Sequence, residues 1–222
     1  MDNKELFTKF INKATLKQEV YKKGLEALEH FRAAGHHLLK EYKATNDPRV
    51  REIPVQIHSV GNFEFRIRFA GDIAVFLMHS NVFAFPKSHP VHNVPYIQED
   101  PERAYFSQIS IYNFLNDSFK YNRINDYGHL IDRIFINKDM HYFLDTQNLQ
   151  QAGFPLVSQS VFDRNKAEEI IKAVINHVVD YDLYVPPTSY VEHIKLSNII
   201  ERTKHLSTSK RLGFKFKNQL KR

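Results

Sequence analysis

The clearest hydrophobic pattern in the chain is a strict alternation in the segment FEFRIRF, at residues 63–69. Apolar residues occupy every second position, and charged residues fill the positions between them. A period of two with one apolar side predicts a half-buried β-strand. After a turn at AGD, the apolar segments IAVFLMH and NVFAF predict two more strands. Strands that follow one another through short turns indicate an antiparallel meander.

Helical spacing appears on both sides of this β region. Between residues 4 and 43, apolar residues such as Tyr21, Leu25 and Leu28 recur at intervals near three, four and seven, which predicts a helix. A second helix is predicted after Asp163, whose short carboxylate side chain suits an N-cap. The predicted buried stripe of this second helix consists of Ile170, Ile171, Val174, Val178 and Tyr181.

The remaining segments carry weaker signals. Residues 86–103 contain four prolines and no periodicity, which predicts a long loop. The segment YFSQISIY predicts a strand, NFLNDSF and DYGHLIDR predict short helical pieces, and IFINKDMHYFLD predicts a hairpin. LSNIIERTKHL predicts a last short helix. The chain is therefore expected to be α+β, with an N-terminal long helix, a central antiparallel sheet, C-terminal helices and a basic tail.

Length and composition favour one folded unit. Residues 1–205 are expected to form a single α+β domain whose helical N-terminal part is 1–43, followed by a basic tail at 206–222. A hydrophobic content of 42% is enough for a sizeable core. Cysteine is absent, which excludes disulfides and thiolate zinc sites. Because the first residues lack an apolar signal core and the run IAVFLM is too short to span a bilayer, we expect a soluble cytoplasmic protein that does not enter membranes.

The net charge of +6 comes from the end of the chain. Residues 201–222 hold eight basic residues and one acidic residue, a net charge of 8 − 1 = +7. The rest of the chain holds 23 basic and 24 acidic residues, a net charge of −1. The excess cations therefore indicate anion binding by the tail rather than by the body.

Within the tail, cations alternate with phenylalanine. Lysine and arginine would neutralise phosphates, and the two aromatic rings would stack on unpaired bases. Two alternatives remain open: the tail docks on an acidic protein surface or on the protein's own sheet, or it is a solvated, frayed terminus. If the tail binds nucleic acid, the residues predicted to contact it are Lys210, Arg211, Phe214, Lys215, Phe216, Lys217, Lys221 and Arg222.

Residues 112–137 combine many Asn, Asp and Tyr side chains with apolar residues that resemble a core. One interpretation is an active site in which Asp117, Asp126 and His129 act as acid–base or metal-binding groups. The other is a polar lattice that fixes the fold, since Asn and Asp favour turns and caps. Both interpretations stay open from sequence alone, and the second is favoured because no catalytic motif accompanies the residues.

Histidines supply a second candidate for metal chemistry. His79, His89 and His92 lie within 14 residues of one another, with Glu99 or Asp100 as a further carboxylate. Imidazole and carboxylate groups are suitable zinc ligands. The spacing is not that of a helical HExxH, however, and neither phosphate-binding glycine motifs nor a GxSxG serine motif occurs.

The runs IAVFLMHSNVFAFP and ISIYNFLNDSFKYNRINDYGHLIDRIFINKDMHYF resemble a pattern in a family of small bacterial proteins without an established activity. The resemblance covers roughly residues 1–195 and leaves the basic tail outside it. It implies a bacterial cytoplasmic protein, and it carries over no cofactor and no catalytic residue.

Three function classes follow from these observations. The leading hypothesis is a non-enzymatic binding or scaffold subunit of a larger assembly, without a cofactor, that associates with nucleic acid through its tail. The alternative is a metal-dependent hydrolase or nuclease that uses a divalent metal at the His or Asp cluster. A third class, self-assembly through the N-terminal helix, is supported by the apolar spacing at Tyr21, Leu25 and Leu28.

Overall fold

The structure is a computed structural model that describes residues 2–45, 47–145, 149, 157–180 and 196. It confirms the α+β class: a long N-terminal helix precedes a seven-stranded antiparallel sheet, and a C-terminal helix follows it. The basic tail lies outside the described residues, as does the helix predicted from LSNIIERTKHL apart from Leu196.

The longest element is helix α1, Asn3–Ala44, with 42 residues. Two single-turn helices, α2 (Pro95–Glu99) and α3 (Asn116–Lys120), lie between strands, and α4 spans Arg164–Val179. The strands are β1 Val55–Val60, β2 Glu64–Phe69, β3 Asp72–Ala84, β4 Tyr105–Leu115, β5 His129–Ile136, β6 His141–Leu144 and β7 Val157–Val161. Each strand pairs with the next one in the chain, so the predicted meander is confirmed.

Helices α1 and α4 pack on one face of the sheet. Burial alternates along β2 as the sequence predicted, with its apolar residues under the helices. Phe31 of α1 links the layers, because its ring centroid lies 4.8 Å from that of Phe76 and 5.3 Å from that of Phe162. Asp163 accepts a hydrogen bond from the backbone N–H of Lys166 at 2.8 Å, which confirms it as the N-cap of α4.

The opposite face of the sheet is partly covered by residues 86–104, which contain α2 and short 3₁₀ turns. Beneath them, the rings of Phe85, Phe106, Phe135 and Phe143 form a second, smaller core. The predicted loop is therefore ordered by packing. Within this segment, Tyr96 of α2 donates a hydrogen bond to Asp139 at 2.8 Å. Burial raises the pKa of this tyrosine to about 12.

Three local predictions were wrong. NVFAF is not a separate strand but the end of the 13-residue β3, after a register shift between Met78 and Val82. DYGHLIDR is largely strand β5, and β4 continues to Leu115, so only the single turn α3 is helical. Segments this short fit either period, and the hydrogen bonds of neighbouring strands decide between them. In the described part of the chain, no helix is both long and apolar enough to cross a membrane.

Candidate functional site

The first turns of α1 are exposed. Every residue from 2 to 13 is exposed, and the first buried residue of the helix is Leu16. We call residues 2–13 the free segment. At a rise of 1.5 Å per residue it is about 18 Å long.

Four large apolar side chains are exposed on this free segment. Leu6 is 44% exposed, Phe7 60%, Phe10 66% and Ile11 58%. Their spacing places them side by side, because residues three or four apart are neighbours on a helix. We call these four residues the apolar stripe. With about 100° of rotation per residue, the stripe points roughly a quarter turn away from the side of α1 that is buried on the sheet.

Lysines surround the apolar stripe. The charged residues three or four positions from a stripe residue are Asp2, Lys4, Lys9 and Lys13, a net charge of 3 − 1 = +2. We call Lys4, Lys9 and Lys13 the lysine rim, and all three are exposed. The amino-terminal end of the helix dipole adds to this positive potential, and no side chain caps α1 there.

Two grooves lie along the first half of α1. A groove of about 960 Å³ lies between the polar side of the free segment and the segment from Pro101 to Tyr105. Lys13 spans it, with its ammonium 3.6 Å from the centroid of the Tyr105 ring. A second groove, of about 500 Å³, begins at Lys17, about one turn after the free segment, and lies between α1 and residues 80–83 of β3.

The predicted acid–base residues occupy different surroundings. Asp117 is 7% exposed on α3, while Asp126 accepts a hydrogen bond from the hydroxyl of Ser118 at 2.8 Å. His129 is exposed at the start of β5, opposite Asn113 of β4. Their role in catalysis stays a prediction.

A polar group that sequence reasoning missed lies at the carboxyl end of α4. Asp132 is fully buried. It pairs with Ile111 of β4 and lies on the same side of β5 as Ile134 and Ile136, which is the helix side of the sheet. Its carboxylate accepts the backbone N–H of Arg133 at 2.7 Å. Burial, followed by the nearby charge of His129, lowers the pKa of His177 on α4. This group explains part of the polar content of residues 112–137.

Another part of that content serves a turn. The side-chain oxygen of Asn137 accepts the backbone N–H groups of Asp139 and His141, each at 3.0 Å, and closes the hairpin between β5 and β6. Its side-chain nitrogen donates to the hydroxyl of Tyr96 at 3.1 Å. These contacts are those of a polar lattice that fixes the fold.

The three histidines proposed as metal ligands are not brought together. Nδ1 of His79 accepts the backbone N–H of Asn81 at 3.0 Å, and Nδ1 of His89 accepts that of Val91 at 3.2 Å. Nε2 of His92 lies 3.2 Å from the backbone oxygen of Phe85. The imidazoles of His79 and His89 thus each contact the backbone two residues ahead, and that of His92 lies against the backbone seven residues before it.

A different trio has the spacing of a metal site. Among the described residues, His37, Glu41 and Glu168 place their ligand atoms within 4.8 Å of one another. Nδ1 of His37 lies 3.0 Å from Glu168, and the ammonium of Lys172 lies 2.7 Å from the same carboxylate. The hydrogen bond from Lys172 lowers the pKa of the Glu168 carboxyl. Lysine therefore already supplies a positive charge at this joint between α1 and α4.

The predicted nucleic-acid contacts, from Lys210 to Arg222, all lie outside the described residues. Comparison of the chain with protein-family models, with curated proteins and with solved structures found no match.

The sequence contained the signal for the apolar stripe. Leu6, Phe7, Phe10 and Ile11 have helical spacing within the predicted helix. Periodicity does not show whether an apolar side is buried, and here the stripe points roughly a quarter turn away from the side of α1 that is buried on the sheet.

Proposed function

We propose that the protein is a non-enzymatic binding subunit of a larger cytoplasmic assembly, and that it docks a partner on the apolar stripe of α1. The observation that carries the proposal is the exposure of four adjacent large apolar side chains, at 44–66%, on a helix that extends past its own core. Contiguous exposed apolar surface marks interaction sites in folded proteins. The absence of cysteine agrees with a reducing compartment.

The stripe is large enough to contribute to a stable contact. Covering a fully exposed Leu, Ile or Phe side chain yields about 1.5–3 kcal/mol. Four side chains that are about half exposed would together supply roughly 3–7 kcal/mol before the cost of association. Because the free segment belongs to a long helix anchored on the sheet, little conformational entropy is lost when a partner binds it.

Photo-crosslinking tests this role. With p-benzoylphenylalanine at position 10, the full chain should form a covalent adduct with its partner in the cells that naturally produce it. The matched control carries the same probe at position 19, which is exposed and about 180° around the helix from Phe10. Adducts from neither position, or equal adducts from both, would contradict docking on the stripe.

We further propose that the assembly contains nucleic acid and that the tail binds it. This part rests on the sequence, because the net charge of +7 is confined to residues 201–222 and is interleaved with Phe214 and Phe216. An acidic protein surface is the other anion that the tail would bind.

Fluorescence anisotropy with short single- and double-stranded DNA and RNA tests the tail. The full chain should bind at low salt, with the logarithm of affinity falling by about 0.7–0.9 per decade of salt for each neutralised phosphate. A variant that ends at Leu206 should lose this binding. A Phe214→Ala/Phe216→Ala variant keeps the charge and should lose mainly the preference for single strands. Binding that persists without the tail, or does not respond to salt, would reject the proposal.

Metal-dependent hydrolysis is the second candidate, and the trio of His37, Glu41 and Glu168 is the observation that favours it. Calorimetric titration of untagged protein with Zn²⁺ or Mn²⁺ separates the two functions. One equivalent bound by the natural chain, lost in Glu168→Gln, would support a metal site. If only the heat of dilution is observed, no metal binds, and Lys172 is the cation that contacts Glu168.

A further inference from the structure

The charges around the apolar stripe restrict the chemistry of the partner. The lysine rim and Asp2 together give the surroundings of the stripe a net charge of 3 − 1 = +2. The nearest other acid, Glu5, is not three or four residues from any stripe position. An apolar surface with a cationic border is complementary to an apolar surface with an acidic border. We propose that the partner contributes an acidic amphipathic helix, an inference that rests on the binding role proposed above.

Two occupants from within the same protein fit less well. A second copy would bring its own lysine rim against Lys4, Lys9 and Lys13, and like charges across an interface are unfavourable. The protein's own residues 201–222 carry a net charge of +7 and meet the same repulsion. Charge therefore selects a different, acidic chain.

The shape of the surface selects a helix rather than a flat membrane. Tyr21 lies eleven residues after Phe10, within about 20° of it around the helix axis. On that side the ring of Tyr21 packs against Phe63 of the β1–β2 turn, with centroids 6.2 Å apart. A planar bilayer along the stripe would meet this turn. A helix is about 10–12 Å wide and therefore needs far less flat surface than a bilayer.

The second groove continues the path of such a helix. It is lined by Lys17, Gln18 and Tyr21 of α1 and by residues 80–83 of β3, with a volume of about 500 Å³. The register shift in β3 places three residues, 79–81, opposite the single residue Gln108. Ser80 and Asn81 are exposed there and offer polar groups to the end of a helix that lies along the stripe.

A pair of designed peptides tests the charge of the partner. Each is an amphipathic helix of about 18 residues with leucine on one side, bordered by glutamate in one peptide and by lysine in the other. By anisotropy at low salt, the full chain should bind the glutamate peptide at least about tenfold more tightly. Phe7→Ser/Phe10→Ser should abolish both interactions, and circular dichroism should confirm that this variant is folded.

Charge reversal supplies the matched control. Lys4→Glu/Lys9→Glu/Lys13→Glu should reverse the preference between the peptides. Lys22→Glu/Lys40→Glu/Lys43→Glu changes the net charge by the same amount at exposed positions of α1 outside the lysine rim. This variant should keep the preference for the glutamate peptide. Equal binding of the two peptides, or a preference that is unchanged by reversing the lysine rim, would overturn the inference.

Other occupants give distinct results. If the protein floats with vesicles of roughly 3:1 phosphatidylcholine and phosphatidylserine, and this flotation depends on Phe7 and Phe10, the stripe binds a membrane and not a helix. If the protein has a dimeric mass in solution that is lost in Phe7→Ser/Phe10→Ser, the stripe binds a second copy of the chain. If the probe at position 10 still forms a protein adduct while the glutamate peptide is not preferred, the acidic partner fails and the binding role stands. If the adduct is also missing, both fail.

Discussion

Replacing Phe31 by alanine should lower the free energy of unfolding by about 3–5 kcal/mol, a large fraction of the stability of a domain. Phe31 is fully buried, and its ring lies against those of Phe76 and Phe162. The substitution would leave a cavity between α1, the sheet and the start of α4. Equilibrium denaturation in urea, followed by circular dichroism, measures the change.

Phe10→Ala is the control for this prediction. It makes the same change in the same helix, so the gain in helix propensity is equal, but Phe10 is 66% exposed. Its stability should stay within about 0.5 kcal/mol of the natural chain. A cost below about 1 kcal/mol for Phe31→Ala would contradict the packing of α1 on the sheet, and a large cost for Phe10→Ala would mean that the apolar stripe is part of the core.

Gly24→Ala should also destabilise the protein, by about 1–3 kcal/mol, although alanine is the better helix former. A Cβ atom at position 24 would lie 1.9 Å from Oγ and 2.6 Å from Cβ of Ser107, and 2.7 Å from Cε of Met78. Glycine is needed at this position because α1 crosses β4 too closely for a side chain. At an exposed helix position the same change would be stabilising.

A double-mutant cycle with Ser107→Gly isolates the cause. Removal of the serine side chain takes away the two nearest atoms, and the third is the flexible end of Met78. Gly24→Ala should therefore cost at least about 1 kcal/mol less in that background. Gly71→Ala is the control, since a Cβ atom there meets no atom within 4 Å. An equal cost of Gly24→Ala in both backgrounds would show that the close approach to Ser107 is not the reason for the glycine.

Much of the architecture followed from local patterns. The alternation in FEFRIRF predicted β2 with the correct buried side, and the helical spacing predicted α1 and the N-cap of α4. These predictions hold because a long segment with a clear period has one way to bury its apolar side. The strands β1 and β7 were not predicted. In VQIHSV the alternation of Val55 and Ile57 ends at Ser59, and VSQSV contains only two apolar residues.

The candidate site was harder to predict from sequence. The number of histidines in residues 79–92 suggested a metal site, yet each imidazole contacts a backbone group within seven residues of it in the chain. The trio of His37, Glu41 and Glu168 could not be predicted from the sequence, because its members are up to 131 residues apart and meet only where α1 packs on α4. Spacing along a chain indicates shared sites only within one helix or strand.

The sequence by itself determined the α+β class, the position of the long helix, the meander of consecutive strands and the concentration of positive charge at the end of the chain. These properties depend on composition and on periods of two and 3.6, which are local. Only the tertiary structure decided which apolar residues stay exposed. Leu6, Phe7, Phe10 and Ile11 have the same helical spacing as buried residues such as Leu28 and Phe31. They differ because the stripe points roughly a quarter turn away from the side of α1 that packs on the sheet, and no described segment covers it. Which segment covers a helix depends on contacts between residues distant in the chain.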